Sequence, residues 1–108
     1  MDNILFICLL NQNRSVTAAK VYKKILNKQH KLAEVKTAGI DPYSKKVVDK
    51  ELISWADHIF VMEPYMASQI LTMDKTAKRR ITILNIPDIF NADDPQLAAI
   101  LEQKLINM

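Results

Sequence analysis

The chain holds a single cysteine, Cys8, and two isolated histidines, His30 and His58. One thiol excludes an intramolecular disulfide, a multi-cysteine zinc site and an iron–sulfur cluster. Two scattered imidazoles leave little for a transition metal, so no metal or cofactor is expected. Such cysteine usage suits the reducing cytoplasm. Glycine occurs once, at Gly39, and no repeat, low-complexity tract or linker interrupts the sequence. The longest apolar run, Ile4–Leu10, has seven residues, against the roughly 20 a membrane helix requires. The basic start and small-residue cleavage site of a signal peptide are missing too. The expectation is a soluble, cytoplasmic protein with no membrane partner.

What is present is ordinary globular composition. The 108 residues are 49% hydrophobic and 25% charged, enough for one domain that buries about two thirds of its unfolded surface. Fifteen Lys+Arg against twelve Asp+Glu give a net charge of +3, which suits an anionic ligand without demanding nucleic acid. The basic cluster Lys75, Lys78, Arg79 and Arg80 reads as a solvated face, and no nucleic-acid partner is expected. The sequence carries no signal of oligomeric state.

Ile4–Leu10 followed by polar Asn11-Gln12-Asn13 has the pattern of a strand buried on both faces. From Ser15 the pattern turns helical, with Ala18, Val21, Tyr22, Ile25 and Leu26 at i, i+3, i+4 spacing and Lys20, Lys23, Lys24 and Lys28 outside. Further strands are predicted at Glu34–Ala38, His58–Met62 and Arg80–Leu84. Helices are predicted after an Asp49 N-cap, over Pro64–Met73, and from Asp94-Pro95 with Leu97, Ile100, Leu101 and Leu105 on one face. Trp55 and Met62 read as core. The alternation predicts a small doubly wound α/β domain, a four-stranded parallel sheet in the order 2-1-3-4 with helices on both faces. Ligands in such sheets bind beyond the carboxyl ends of the strands, which directs attention to Cys8–Ser15.

In that segment an Arg and a Ser, Arg14 and Ser15, follow Cys8 after five intervening residues, between a buried strand and a helix start. A strand-to-helix loop can wrap its backbone N–H groups around a tetrahedral oxyanion, helped by the helix dipole. The same donors favour a thiolate, the nucleophilic form of cysteine. Arg14 can return to the bound group and hold two phosphate oxygens in a planar fork. Ser15 can donate its hydroxyl to the Cys8 sulfur. The competing structural reading makes Cys8 a small core hydrophobe and Ser15 a helix N-cap.

At these residues the sequence resembles the low-molecular-weight protein tyrosine phosphatases. Their phosphate loop, Cys-x-Gly-Asn-x-Cys-Arg-Ser, stands here as Cys8-Leu9-Leu10-Asn11-Gln12-Asn13-Arg14-Ser15. The likeness continues through Thr37-Ala38-Gly39, Trp55–Met62 and Ile86-Pro87-Asp88, and is nearest to a short bacterial branch with a divergent loop. The chain is shorter than the main-branch enzymes, chiefly between the third strand and Asp88. Leu10 replaces the loop glycine and Asn13 the second loop cysteine. Without a partner thiol Cys8 has no intramolecular disulfide to protect it, and the thiol-relay arsenate reductases are disfavoured. The resemblance implies a cysteine-dependent phosphomonoesterase acting on a phosphorylated protein or a small aryl phosphate. Cys8, Arg14 and an acid would be catalytic; Leu9, Leu10, Asn11, Gln12, Asn13 and Ser15 would bind the phosphoryl group.

Cleavage by a thiolate needs a proton donor for the leaving group, and Asp88, Asp93 and Asp94 are the candidates. In the family the acid sits in an Asp-Pro-aromatic segment. Asp88 matches by its preceding Ile86-Pro87 and by Phe90 two residues on, although Ile89 replaces the proline. Asp94 imitates Asp-Pro but also reads as the cap of the last helix. Phe90 and Tyr43 are candidate walls for an aryl substrate, Tyr43 equally a surface turn residue. Two readings from other classes stand beside the phosphatase: a sugar-transport phosphocarrier of the IIB type, and a non-catalytic phosphate-binding module.

Overall fold

A computed structural model describes residues 1–106 of the chain. In chain order these form β1 (Asp2–Cys8), α1 (Arg14–Lys28), β2 (Ala33–Gly39), α2 (Lys50–Trp55), β3 (His58–Val61), α3 (Pro64–Met73), a 3₁₀ turn (Lys75–Arg80), β4 (Ile81–Ile83) and α4 (Pro95–Leu105). The four strands make one parallel sheet in the order β2-β1-β3-β4, as the sequence predicts. The chain leaves β1 for one edge and returns on its other side at β3. The strand order therefore reverses at the carboxyl end of β1, where Cys8 stands.

β1 is apolar from Ile4 onward because it is there flanked by strands on both sides and covered above and below. Ile4, Leu5, Phe6 and Ile7 are at most 1% exposed. In register with Phe6 lie Thr37 on β2 and Phe60 on β3. The Phe6 and Phe60 rings stack with centroids 5.1 Å apart, and Tyr22 of α1 meets Phe6 edge-on at 5.7 Å. Truncating either buried ring would cost about 3–5 kcal/mol by the usual cavity penalty. α1 packs against α4, whose Leu97, Leu101 and Leu105 are fully buried, and α3 packs against β3 and β4.

The capping residues read from the sequence are in place. Leu52 N–H donates to Asp49 Oδ1 at 2.7 Å and Gln96 N–H to Asp94 Oδ1 at 2.8 Å, while Pro64 and Pro95 stand in first turns where no backbone donor is needed. Met62 is fully buried; Trp55 is half-buried, with the Lys36 ammonium 4.4 Å above its ring. One expectation is corrected. The fourth strand begins at Ile81 because Lys75–Arg80 closes into the 3₁₀ turn, and Arg80 leaves the solvated face of that cluster. Its guanidinium donates to the Ile53 and Ala56 carbonyls, satisfying the C-terminal end of α2.

Scarcity of glycine has a structural counterpart. The left-handed backbone positions are taken by Asn11 (φ 55°), His30 (55°), Asn85 (56°) and Asp93 (61°), three of them Asx residues that bear this conformation best. Gly39, with no positive φ, is required for space. A Cβ there would lie 2.1 Å from Ser44 Oγ and 2.9 Å from the Leu9 carbonyl oxygen, so β2 ends in close contact with the loop that follows β1.

Candidate active site

The segment after β1 is fixed from outside by the chain that follows β2. Ile40 N–H donates to Cys8 O at 3.0 Å, Asp41 N–H to Leu9 O at 2.9 Å, and Ser44 Oγ–H to Leu9 O at 3.0 Å. Asn11 turns the loop through its left-handed conformation. Leu10, at the family's glycine position, keeps a negative φ, so the backbone there does not require glycine. The loop then runs into α1, with Asn13 at the N-cap making no side-chain cap bond and Ser15 inside the first turn. Ser15 is thus no cap.

Its hydroxyl faces inward instead. Ser15 Oγ lies 3.0 Å from Cys8 Sγ and 3.0 Å from Asn11 Oδ1, with all three residues buried. A hydroxyl carries one proton, so with Ser15 donating to Asn11 Oδ1 the Cys8 S–H donates to Ser15 Oγ.

Arg14, 1% exposed, is held from behind. Its Nη1 donates to Glu63 Oε2 at 2.8 Å and to the Ile86 carbonyl at 2.6 Å. Its Nε lies 3.8 Å from Asp88 Oδ1. Ile86 is itself fixed, its N–H donating to Met62 O at 2.9 Å. One edge of the guanidinium is clamped while the rest faces a cavity of about 60 Å³ lined by Cys8, Leu9, Leu10, Gln12, Asn13, Arg14 and Asp88. That is the scale of a small inorganic anion, not of a cofactor.

The sequence-predicted residues divide accordingly. Cys8, Leu9, Leu10, Gln12, Asn13, Arg14 and Asp88 line the cavity; Asn11 and Ser15 stand behind it as the proton network. Phe90 is only half exposed and packs against the core, and its carbonyl accepts from Asn13 Nδ2 at 3.2 Å; its ring does not line the cavity. Tyr43 is 92% exposed in an Asx turn closed by Asp41 Oδ1, which fits the surface-turn reading. Asp94 caps α4, and Asp93 pairs with Lys20 at 3.0 Å. Of the three acid candidates Asp88 alone reaches the cavity.

Sequence reasoning missed two neighbours. Glu63 occupies the N-cap position of α3 yet makes no cap bond there, its carboxylate being given to Arg14. Tyr65, two residues on, is close enough to sense the same groups. Burial and the Glu63 carboxylate raise its phenol above the ordinary value, while the Arg14 guanidinium lowers it. The available signal was position: Met62-Glu63-Pro64-Tyr65 follows β3 at the same carboxyl end of the sheet as Cys8.

Set beside known structures, the chain has the fold of the low-molecular-weight protein tyrosine phosphatases. A protein tyrosine phosphatase from Entamoeba histolytica superposes with TM-score 0.82 at 21% identity, over 99% of this chain and 92% of that one. The YwlE arginine phosphatase from Geobacillus stearothermophilus gives 0.69 at 24% identity, over 99% and 87%. A low-molecular-weight phosphotyrosine phosphatase from Vibrio cholerae gives 0.77 at 15% identity, over 98% and 93%. No protein-family model matches the chain, and no curated protein matches it in sequence. Among the described residues no helix is long and apolar enough to cross a membrane.

Proposed function

We propose that this chain is a cysteine-dependent phosphomonoesterase that hydrolyses phosphotyrosine or other aryl phosphates through a cysteinyl-phosphate intermediate. One observation carries the reading: the Cys8 thiol, the Arg14 guanidinium and the Asp88 carboxyl converge on a single cavity of about 60 Å³. Neighbours of the same fold are named as tyrosine phosphatases and as an arginine phosphatase, which supports the chemistry and leaves the two phosphoryl donors to be separated by assay. Because the nucleophile is an unpaired thiol, the reducing cytoplasm is the compartment assigned to it.

Cys8 thiolate attacks phosphorus in line and the P–O bond to the leaving group breaks. Asp88, as carboxylic acid, gives its proton to the departing oxygen. Arg14 and the backbone N–H groups of residues 9 to 14 carry the charge of the three equatorial oxygens. In the second half Asp88, now a carboxylate, takes a proton from water, which attacks phosphorus. The S–P bond breaks, phosphate leaves, and Ser15 turns its hydroxyl to the released Cys8 sulfur.

The deciding experiment is hydrolysis of p-nitrophenyl phosphate from mildly acidic to neutral pH with EDTA present, run beside Cys8→Ser, with phosphotyrosine and phosphoarginine as further substrates. The expected result is turnover that survives EDTA and falls on the order of a thousandfold or more in Cys8→Ser. Substantial turnover by Cys8→Ser sinks the scheme. A stable phosphocysteine formed from a phosphohistidine donor would instead identify a phosphocarrier, and tight vanadate binding without turnover a binding module.

A further inference from the structure

β2 is an edge strand. Among the described residues its outer side is bridged at one point, Gly39 to Val47, so the backbone donors and acceptors from Ala33 to Ala38 on that side meet no strand. Such an edge ordinarily invites another chain and is blunted with charge. Here it is also concave. A groove of about 390 Å³ opens along it, reaching from α1 to Leu52 of α2, with Val35 and Leu52 in its floor and Lys20, Lys23, Lys36 and Lys46 around it. No carboxylate lines it. Residues 14–28 of α1 contain no Asp or Glu at all. Among the described residues Lys20 alone of the four lysines lies within ion-pair distance of an acid, Asp93.

We propose that this groove binds an extended acidic protein segment as an added strand on β2, with its carboxylates meeting Lys23, Lys36 and Lys46 and its apolar side chains the floor. Three features select that occupant. The open strand edge supplies backbone hydrogen bonds to an extended chain, and the alternation of a strand sends one face to the floor and the other to the rim. The unneutralised lysines supply complementarity and speed encounter. Nucleic acid would be drawn by the same charge, but no aromatic side chain lines the groove, and the Trp55 ring beside it is covered by the Lys36 ammonium rather than open to a base. The groove lies beside the Cys8 loop, since β2 runs straight into Ile40 and Asp41, which hydrogen-bond to Cys8 and Leu9. Resting on the phosphatase reading, the bound segment belongs to the phosphorylated protein whose phosphate enters that loop.

The test is fluorescence anisotropy of the full chain with a labelled, unphosphorylated peptide alternating Glu and Val, against the same peptide with Gln for Glu and against a single-stranded RNA of equal length. The acidic peptide is expected to bind at low ionic strength and to weaken with salt. Affinity should fall at least about tenfold in the combined Lys23→Glu, Lys36→Glu, Lys46→Glu protein. Hydrolysis of p-nitrophenyl phosphate by that protein should stay within about twofold of the parent, because none of the three lines the Cys8 cavity. No binding of the acidic peptide, equal binding of the Gln peptide, indifference to the three substitutions, or tighter binding of RNA each overturns the proposal. A parent chain that binds the acidic peptide but hydrolyses no aryl phosphate would leave the groove standing and remove the phosphatase.

Discussion

The loop after β1 and the segment between β4 and α4 face each other across one cavity and are built in opposite ways. The loop is tied into the fold at both ends. Cys8, Arg14 and Ser15 are at most 3% exposed, and the turn beyond β2 braces it through three hydrogen bonds. The segment carrying Asp88 has no regular structure, and it exposes Asp88 by 51% and Ile89 by 76%. Side chains from the start of α1 hold it. Asn13 Nδ2 donates to Phe90 O at 3.2 Å, Thr17 Oγ1 accepts from Asp93 N–H at 3.1 Å, and Lys20 pairs with the Asp93 carboxylate. The first turns of α1 therefore serve both regions, Arg14 and Ser15 inward and Asn13, Thr17 and Lys20 outward. In the proposed reaction the difference has a physical reason. Charge on the equatorial oxygens is present throughout and is best met by donors that need no reorganisation, whereas the acid must admit substrate, give a proton and then act on water.

Breaking the exposed side should do the most. Asp88→Asn removes the proposed proton donor, and the loss should be about 10²- to 10⁴-fold in kcat for phenyl phosphate. With p-nitrophenyl phosphate, whose leaving group needs little protonation, the loss should be much smaller. Equal losses on both substrates would remove Asp88 from the acid role. On the buried side the informative change is Glu63→Ala, which frees the clamped edge of Arg14. A guanidinium misplaced by about 1 Å costs up to roughly 10²-fold, and the loss should be the same for good and poor leaving groups because Arg14 acts on oxygens common to both. Glu63→Gln, which keeps a hydrogen-bond acceptor, should recover most of it. A loss confined to poor leaving groups would place Glu63 with the acid instead.

Asn13 joins the two regions, and its removal should be milder. Asn13→Ala releases Phe90 O while leaving the Cys8 loop bonds intact, so kcat for phenyl phosphate should fall by roughly tenfold or less, the worth of one side-chain hydrogen bond. Phosphate inhibition should be unchanged. A matching rise in the inhibition constant would show that Asn13 supports the oxyanion site itself.

How far each region could be read from sequence follows the same division. β1 and its loop were legible because burial on both faces forces an unbroken apolar run, and because a Cys, an Arg and a Ser at this spacing between strand and helix place Cys8 beside Ser15 and on one cavity with Arg14. Strand order and helix starts were legible for similar reasons, through Asp49, Pro64, Asp94 and Pro95. The second side of the site was not. Glu63 and Tyr65 act across 49 or more residues of sequence from Arg14, and nothing local at Met62-Glu63-Pro64 distinguishes an arginine clamp from a helix start. Arg80 was misread for an equivalent reason, since its partners are carbonyls of α2, and a carbonyl has no sequence signature. Phe90 matches a pattern of position, and its half-exposed ring packs against the core outside the lining of the Cys8 cavity.

A last change lies outside both regions and should sharpen the comparison by leaving it intact. Asp74 closes the 3₁₀ turn before β4, its Oδ1 accepting from Thr76 N–H at 2.9 Å and from Thr76 Oγ–H at 2.6 Å. The Thr76 hydroxyl and then its N–H hold the Asp74 carboxyl below the ordinary value of 3.8, with Arg80 adding to the effect. Because the folded value is the lower one, the native state favours the carboxylate. That contribution to stability is present above the ordinary value and is lost as pH falls through the folded one. Asp74→Asn should therefore unfold at lower urea than the parent at neutral pH, by a small margin because the group is still partly accessible to solvent. The margin should close as pH falls below 3.8. Turnover of phenyl phosphate should not change, since the turn touches neither the Cys8 loop nor the segment bearing Asp88. A gap in stability that persists at low pH would mean that the amide fails to accept from Thr76 and that geometry, not charge, is what Asp74 contributes.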